Sequence, residues 1–485
     1  MTFKEMLKRH TIYKCTAITT LLLCCVHYMH MLLSPYIKLL LIWGVAIIAY
    51  DLIKKRNVFK MRDIFVLLIF AAICGISALI NGGEYFSANI KSIAYMTVGF
   101  LTFYAGALDS DEDLVKREMI LIAKWLLALL FAITAICLIT YILGFSYRYY
   151  FADFPGIGYV GLVDGDLGGL FNANVGGALY SLSIILAILF LIFAKEAGIG
   201  KGFKVLCFAD IFIATLCLSA SWSRTALAAL VITLGFIGFA VTAASKLKKL
   251  LTACAVMLAT VLISFSASFV MPFIQGTIYY TFGDLNIFKD CEEYIAMDDT
   301  DGFAAHVIGA VKTASESDAV TLPAEADMHE DLDNFLTGRL TIWDTGMKVF
   351  AEHPVFGVTS EAVRDEVLAQ NPDTSFGWAI EGGGLHNVYL TTLVAYGILG
   401  VLPLAFFAFR QIKLFADARK KKMTFAPNCL AAISVVLFML LCDIMETRIL
   451  FQMNIYFVIF WLALGYAVYF KETDIKKHDL SQTDN

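Results

Sequence analysis

Apolar stretches recur along almost the whole chain, each near the roughly 17–25 residues that a helix needs to cross a ~30 Å hydrocarbon core. They fall near residues 15–33, 36–53, 63–80, 91–108, 119–143, 169–194, 204–221, 223–244, 248–270, 386–409, 427–446 and 450–470, and so predict twelve helical spans. Inside lipid a spanning segment has to satisfy its own backbone N–H and C=O groups, which makes helices the structure expected of such runs. The pattern predicts an all-α polytopic membrane protein. It divides into nine spans over 1–270, a long polar excursion over 271–385, three further spans over 386–470 and a tail over 471–485.

Composition sharpens this. Of the 485 residues 59% are apolar and 16% charged, against roughly 45–50% and about 25% in soluble domains, which excludes an ordinary water-soluble enzyme. The formal charge of −5 hides a segregation, because 26 of the 37 Lys and Arg fall at alternate connections. Lys4, Lys8, Arg9 and Lys14 form one cluster; Lys54, Lys55 and Arg56 belong to a second, and Arg419, Lys420, Lys421 and Lys422 to a third. That is the signature of cytoplasmic segments, so both termini are expected inside and the excursion outside. Cationic residues precede the first apolar run, but no small-residue cleavage site follows it and another span comes at once, so it is read as a retained helix. Ten of the eleven cysteines lie in or beside apolar runs and Cys291 stands alone in the excursion, an arrangement that argues against a disulfide framework or structural zinc.

The excursion holds 21 of the 42 carboxylates and five cations. In its first half Asp299, Asp301 and Gly302 partly match a calcium loop, but Met297 and Ile308 stand where carboxylates are needed, and a solvated acidic face is the better reading. In the second half Leu336, Leu340, Trp343, Met347 and Phe350 make one apolar stripe of a helix that ends before His353-Pro354. Arg339 is expected at the edge of that stripe. Gly382-Gly383-Gly384 supplies a pliable turn before His386 opens the tenth span.

Ionisable residues inside or at the mouth of a span are costly and mark candidate sites. Three stand on the expected external side: Ser223-Arg224 between the seventh and eighth spans, Arg339 with Trp343, and His386-Asn387. Each has an ordinary alternative: an arginine snorkelling to the interface, a solvated surface arginine, an interfacial histidine. Together they suit an anionic, phosphate-bearing lipid head group, since Arg grips phosphate oxygens through its planar fork and His moves protons near neutral pH.

These residues carry a resemblance to the O-antigen ligase and polysaccharide polymerase superfamily of bacterial membrane glycosyltransferases. It rests on Gly168-Gly-Leu-Phe-Asn-Ala-Asn174, Ser221-Trp-Ser223-Arg224, Thr337-Gly-Arg339-Leu-Thr-Ile-Trp343, His353-Pro-Val-Phe-Gly357, His386-Asn387-Val-Tyr389 and Tyr396-Gly397-Ile-Leu-Gly400. Their order and the large loop among them make the match; the first third of the chain carries no motif. Two departures stand out. Ala173 replaces a family proline, and Asp164 and Asp166 lie where a cation is expected, which leaves Asn174 as the substrate contact there. The family also tends to carry an acid in the eleventh span, a place that Glu446 or Asp443 fills; Arg448 is close enough to pair with either, so a structural ion pair is the alternative.

The resemblance implies a glycosyltransferase that uses an undecaprenyl-pyrophosphate-linked glycan donor on the outer leaflet of the bacterial inner membrane. His386, Arg339 and Arg224 are the implied catalytic residues, and Asn174, Ser223, Trp343, Asn387, Tyr389 and Glu446 the implied substrate-binding ones. No metal or cofactor is expected. The partners implied are a glycan or lipid-linked acceptor, the lipid bilayer, and flippase and chain-length-control machinery; no nucleic acid is expected. A polymerase of a surface or capsular polysaccharide is favoured over a ligase to a lipid, protein or wall acceptor. A flippase or transporter of lipid-linked glycans is the alternative of another class. No internal repeat is evident, and the external placement of Arg224 and His386 counts against it.

Overall fold

A computed structural model describes residues 1–54, 58–108, 111–143, 146–151, 157–163, 166–242, 245–282, 291–295, 335–372, 384–421 and 423–483. In chain order the helices are α1 (Phe3–Lys8), α2 (Thr11–Leu23), α3 (His27–Ile53), α4 (Ile64–Asn81), α5 (Phe86–Gly99), α6 (Glu112–Ile142), α7 (Ala173–Ile192), α8 (Lys201–Ala220), α9 (Arg224–Val241), α10 (Lys246–Phe282), α11 (Phe335–Glu352), α12 (Val363–Gln370), α13 (Val388–Lys420), α14 (Pro427–Cys442) and α15 (Ile455–Thr483). Nine of these, among the described residues, are long and apolar enough to cross a membrane. The chain is a multi-pass membrane protein. Each of the twelve apolar windows overlaps a helix, but α2 and α14 are shorter, and α5 gives way to a π turn at Phe100–Tyr104.

Several boundaries move. The first break falls at residues 24–26 and not before Pro35, which lies inside α3; lipid-embedded helices tolerate proline because neighbouring groups meet the freed backbone. The ninth helix continues to Phe282. The sixth window begins too early: Asp166–Gly169 is a strand, and α7 starts at Ala173 after Asn172, whose side chain accepts the Val175 N–H at 2.8 Å. That strand belongs to a feature the all-α expectation lacks. β1 (Ser146–Phe151), β2 (Ile157–Val163), β3 (Asp166–Gly169) and β4 (Cys291–Ile295) form one sheet in the order β3-β2-β1-β4. β1 pairs antiparallel with β2 and parallel with β4, Tyr147 opposite Cys291. The strands are short and rich in aromatic and β-branched residues, a signal easily lost beside long apolar runs. Asp164, the partial calcium loop and Gly382-Gly383 lie outside the described residues.

The chain separates into two units. Unit 1 comprises Met1–Leu22, Pro35–Ala123 and Asp327–Asn485; unit 2 comprises Leu23–Ser34 and Lys124–Ala326. Within unit 2, α7 packs on α8 and α9, and strands β1–β3 precede it in the chain. Ser183 Oγ lies 2.8 and 2.9 Å from the two carboxylate oxygens of the buried Asp210, so the one acid inside α8 is met by hydrogen bonding.

Unit 1 is built around α15, whose apolar span is almost wholly buried. Phe100, Tyr104, Phe407 and Phe457 surround Trp461 with ring centroids 4.6–6.2 Å away. Polar clusters mark the two ends of this helix. Near its C-terminal part Arg62 pairs with Glu472 at 3.1 Å and Arg410 with Asp63 at 3.1 Å; Arg448 precedes its first residue, Ile455, which lies about 26 Å from Glu472 at a rise of 1.5 Å per residue. A third cluster is fully buried: Glu118 takes Arg9 at 2.6 Å, Lys14 at 2.9 Å and the Thr11 hydroxyl at 3.0 Å. It joins segments that the charge pattern assigns to one side of the membrane.

α13 is interrupted at Gly397, where φ is 62° and ψ −164°. The segment after α11 fills the gap. Val358 and Thr359 donate their N–H groups to the Val394 and Ala395 carbonyls at 3.1 and 2.7 Å, and Ile398 and Leu399 donate to Pro354 and Val355 at 2.9 and 3.3 Å. Ser77 and Asn81 of α4 secure the same segment through the Phe356 and Gly357 carbonyls, at 2.7 and 2.8 Å. A Cβ on Gly397 would stand 2.3 Å from the Val355 carbonyl oxygen, and one on Gly357 would stand 2.4 Å from the Val394 oxygen. Both glycines also have positive φ.

Gly397→Ala is therefore expected to lose about 2–5 kcal/mol, from a backbone region almost confined to glycine and from the clash. Gly75→Ala, whose Cβ would meet nothing within 4 Å, should be neutral or gain about 0.5–1 kcal/mol. Thermal melting of the two purified variants in detergent checks this; equal melting temperatures would contradict it.

Candidate active site

The predicted amphipathic helix is α11, Phe335–Glu352, and it ends where His353-Pro354 requires. Its buried face is shifted by one residue from the expected stripe. Arg339, Ile342, Thr345, Gly346 and Val349 are buried, while Leu340 and Met347 are exposed. The small Thr345 and Gly346 let α11 approach α13 closely; a Cβ on Gly346 would lie 3.1 Å from Leu385. Arg339 is thus at the centre of the packed face, 5% exposed, and not at its edge. The packed face is set by the small residues, which let the backbones approach closely, and not by the apolar stripe.

The Trp343 indole N–H donates to the Leu385 carbonyl at 2.9 Å, tying α11 to the residue before His386. There the chain turns through two left-handed residues, Gly384 with φ 62° and His386 with φ 47°. Asn387 then caps α13: its Oδ1 accepts the Leu390 N–H at 2.9 Å and its Nδ2 donates to the Ile444 carbonyl at 3.0 Å. Val388 donates its N–H to the Asp443 carbonyl, and the Tyr389 hydroxyl donates to the Leu440 carbonyl, both at 3.2 Å. Trp343, Asn387 and Tyr389 thus hold the start of α13 against α11 and the end of α14.

α14 stops at Cys442, short of the end expected at 446, so Asp443 and Glu446 lie beyond its last helical residue. Asp443 Oδ2 accepts the N–H groups of Arg448 and Ile449 at 3.1 and 2.9 Å, folding this connection into a turn. Glu446 is held at its centre. Its Oε1 lies 3.5 Å from Nη2 of Arg339 and 3.5 Å from Nη2 of Arg448, and its Oε2 lies 3.5 Å from Nδ1 of His386. The Arg448 guanidinium also stands 4.7 Å over the Tyr456 ring. Burial raises the Glu446 carboxyl, but the Arg448 charge, the contact with His386 and the Arg339 charge outweigh it and bring it down to about 2. It is ionised at every physiological pH.

Two guanidinium groups and an imidazole around one carboxylate leave an excess of positive charge, which suits an anion and repels a metal cation. Among the described residues no group of three or more His, Cys, Asp or Glu is placed to hold a metal ion. Arg448 is the member that sequence reasoning treated only as an ion-pair partner; its spacing of two from Glu446 and five from Asp443 was the available signal.

Three of the expected residues belong to unit 2. Arg224 is exposed at the first position of α9, and Ser223 before it is buried with its Oγ 3.5 Å from Oδ1 of Asn174 on α7. Gly177 permits this approach, since a Cβ there would lie 2.3 Å from that of Ser223.

Residues 209–405 match the family model Wzy_C, described as O-antigen ligase. The matched stretch contains Arg224, Arg339 and His386 and ends before Glu446 and Arg448. No curated protein matches the chain.

The same turn generates a pH dependence. Burial raises Asp443 to about 7, against the two backbone N–H donors that favour its ionised form. The folded protein holds this proton more tightly than the unfolded chain, where the carboxyl titrates near about 3.9. The stability it contributes is complete below that value and is lost as pH rises through about 7. The melting temperature is expected to fall between about pH 4 and about pH 7, and Asp443→Asn to remove much of that fall. An unchanged pH slope in the variant would count against this account.

Proposed function

Given an O-antigen ligase family domain over residues 209–405, we propose that this membrane protein is a bacterial glycosyltransferase that polymerises undecaprenyl-pyrophosphate-linked repeats of a surface or capsular polysaccharide. The observation that carries the reading is the grouping of Arg339, His386 and Arg448 around Glu446 at the start of α15. The charge pattern puts that end outside the membrane, with both termini in the cytoplasm, and the cation clusters at the other end of unit 1 support it. Substrate would arrive from the outer leaflet.

In the proposed reaction an acceptor hydroxyl oxygen forms a bond to the anomeric carbon while the bond from that carbon to the pyrophosphate oxygen breaks, and the electron pair leaves on the lipid pyrophosphate. Arg339 stabilises the charge developing there. With Nδ1 of His386 facing the Glu446 carboxylate and serving as donor, Nε2 carries the lone pair and takes the proton of the acceptor hydroxyl. Arg224 keeps the role its motif implies, an anion ligand, with Ser223 and Asn174 as polar contacts beside it in unit 2. Trp343, Asn387 and Tyr389 act by positioning. Ligation of a finished chain to a separate acceptor uses the same chemistry and is the second reading, favoured by the description of the matched family.

Arg339→Ala is expected to lower chain transfer by about 10²–10³ and His386→Ala by about 10²–10⁴, both with normal insertion. Arg224→Lys should recover only part of the function, because an ammonium keeps the charge and loses the fork. Chain-length analysis of surface glycan and lipid-linked intermediates in a deletion strain, complemented with each variant, checks this. Single repeats in place of long chains identify a polymerase, unattached long lipid-linked chains a ligase, and full activity of both alanine variants would sink the assignment.

A further inference from the structure

Glu118 and Glu446, both buried in unit 1, each gather more than one cation, and they do so differently. Glu118 takes Arg9 and Lys14 at 2.6 and 2.9 Å, the distance of a tight charge-assisted hydrogen bond, about 2.7–2.9 Å. Glu446 stands 3.5 Å from each of Arg339, Arg448 and His386. It satisfies no partner closely and is shared by all three. Its single Oε1 sits where one oxygen of a tetrahedral phosphate could sit, between two guanidinium groups whose planar forks accommodate phosphate oxygens. The cluster is also less enclosed: Glu118 is completely buried, while the side chains of His386 and Glu446 are 17% and 12% exposed.

We propose that Glu446 is an internal stand-in for the pyrophosphate: its Oε1 occupies the place of a phosphate oxygen between Arg339 and Arg448, yields it when the donor binds, and reclaims it to expel the lipid pyrophosphate after transfer. Arg448 is then a second pyrophosphate ligand and not only an ion-pair partner. Throughout the exchange Oε2 keeps its contact with His386. This rests on the proposed use of a pyrophosphate-linked donor. Without a competing anion two guanidinium groups would retain the product, whose charge is greater than that of the donor once the glycan has left. A carboxylate that costs affinity for both is a means of turnover, because binding substrate and product tightly does not raise the rate of a cycle limited by release.

The test is binding of inorganic pyrophosphate and of undecaprenyl pyrophosphate to the purified full-length protein in nanodiscs. Glu446→Gln keeps the shape and removes the negative charge, and should tighten both ligands by about tenfold or more, since a like charge beside a bound anion costs several kcal/mol. In turnover assays its KM and kcat should both fall, with a burst of first-turnover product. Arg339→Ala and Arg448→Lys should weaken binding, the latter with an unchanged melting temperature. Equal or weaker binding by a folded Glu446→Gln, with Arg339→Ala still impaired, overturns the exchange and leaves the function standing. If pyrophosphate binds neither the wild type nor Glu446→Gln, the anion site and the exchange both fall. Should Glu446→Gln not fold, Arg448→Lys decides: unaltered affinity removes Arg448 from the pyrophosphate site and overturns the proposal.

Discussion

The exchange of backbone hydrogen bonds between residues 354–359 and the break in α13 is the constraint on which the arrangement of unit 1 depends. A helix opened in a nonpolar setting leaves carbonyls and N–H groups whose desolvation costs several kcal/mol apiece if they stay unmet. Here two N–H groups enter from one side of the break and two carbonyls from the other, so neither the helix nor the inserted segment is complete alone. Because that segment directly follows α11, the exchange fixes where α11 lies along α13. Arg339 and His386 come from different stretches of chain, and their common neighbour Glu446 from a third; the spacing among them is inherited from this backbone junction and the contact of Trp343 with Leu385.

Charge is distributed along unit 1 according to what each end has to do. The Arg9–Glu118–Lys14 cluster is short, buried and reinforced by a hydroxyl, the form in which ion pairs survive removal from water. Its members lie on α2, on α6 and at Arg9 just after α1, and it locks elements that carry no site residue. The Glu446 cluster is looser, and the residues around it are tied down: Asn387 caps a helix, Asp443 pins a turn, and Tyr456 lies under a guanidinium. Loosely paired charges on a well-anchored frame suit the binding of an anion that must also leave.

Close packing changes what an apolar pattern means. In α11 the stripe of Leu and Met was readable, and so was the helix, including its end at His353. The packed face was not, because Leu340 and Met347 are exposed while Thr345, Gly346 and Arg339 are buried. The helix faces its neighbours with small residues that allow close approach, and the arginine is carried inward with them.

The amino-acid pattern by itself determined the membrane class, the overlap of every apolar window with a helix, the amphipathic helix before His353, and the residues worth suspecting, because period, length and charge act locally and within one segment. The motif glycines at 357 and 397 were visible, but not that each lies against the backbone of the other's segment at a broken helix. Nor did the pattern reveal the four-stranded sheet, whose outer strand comes from residues 291–295 more than a hundred positions downstream of its partner, the early end of α14, or Arg448 as a member of the cationic group. These were decided by tertiary structure, since each depends on which backbone groups lack a partner and on which distant segment can supply one.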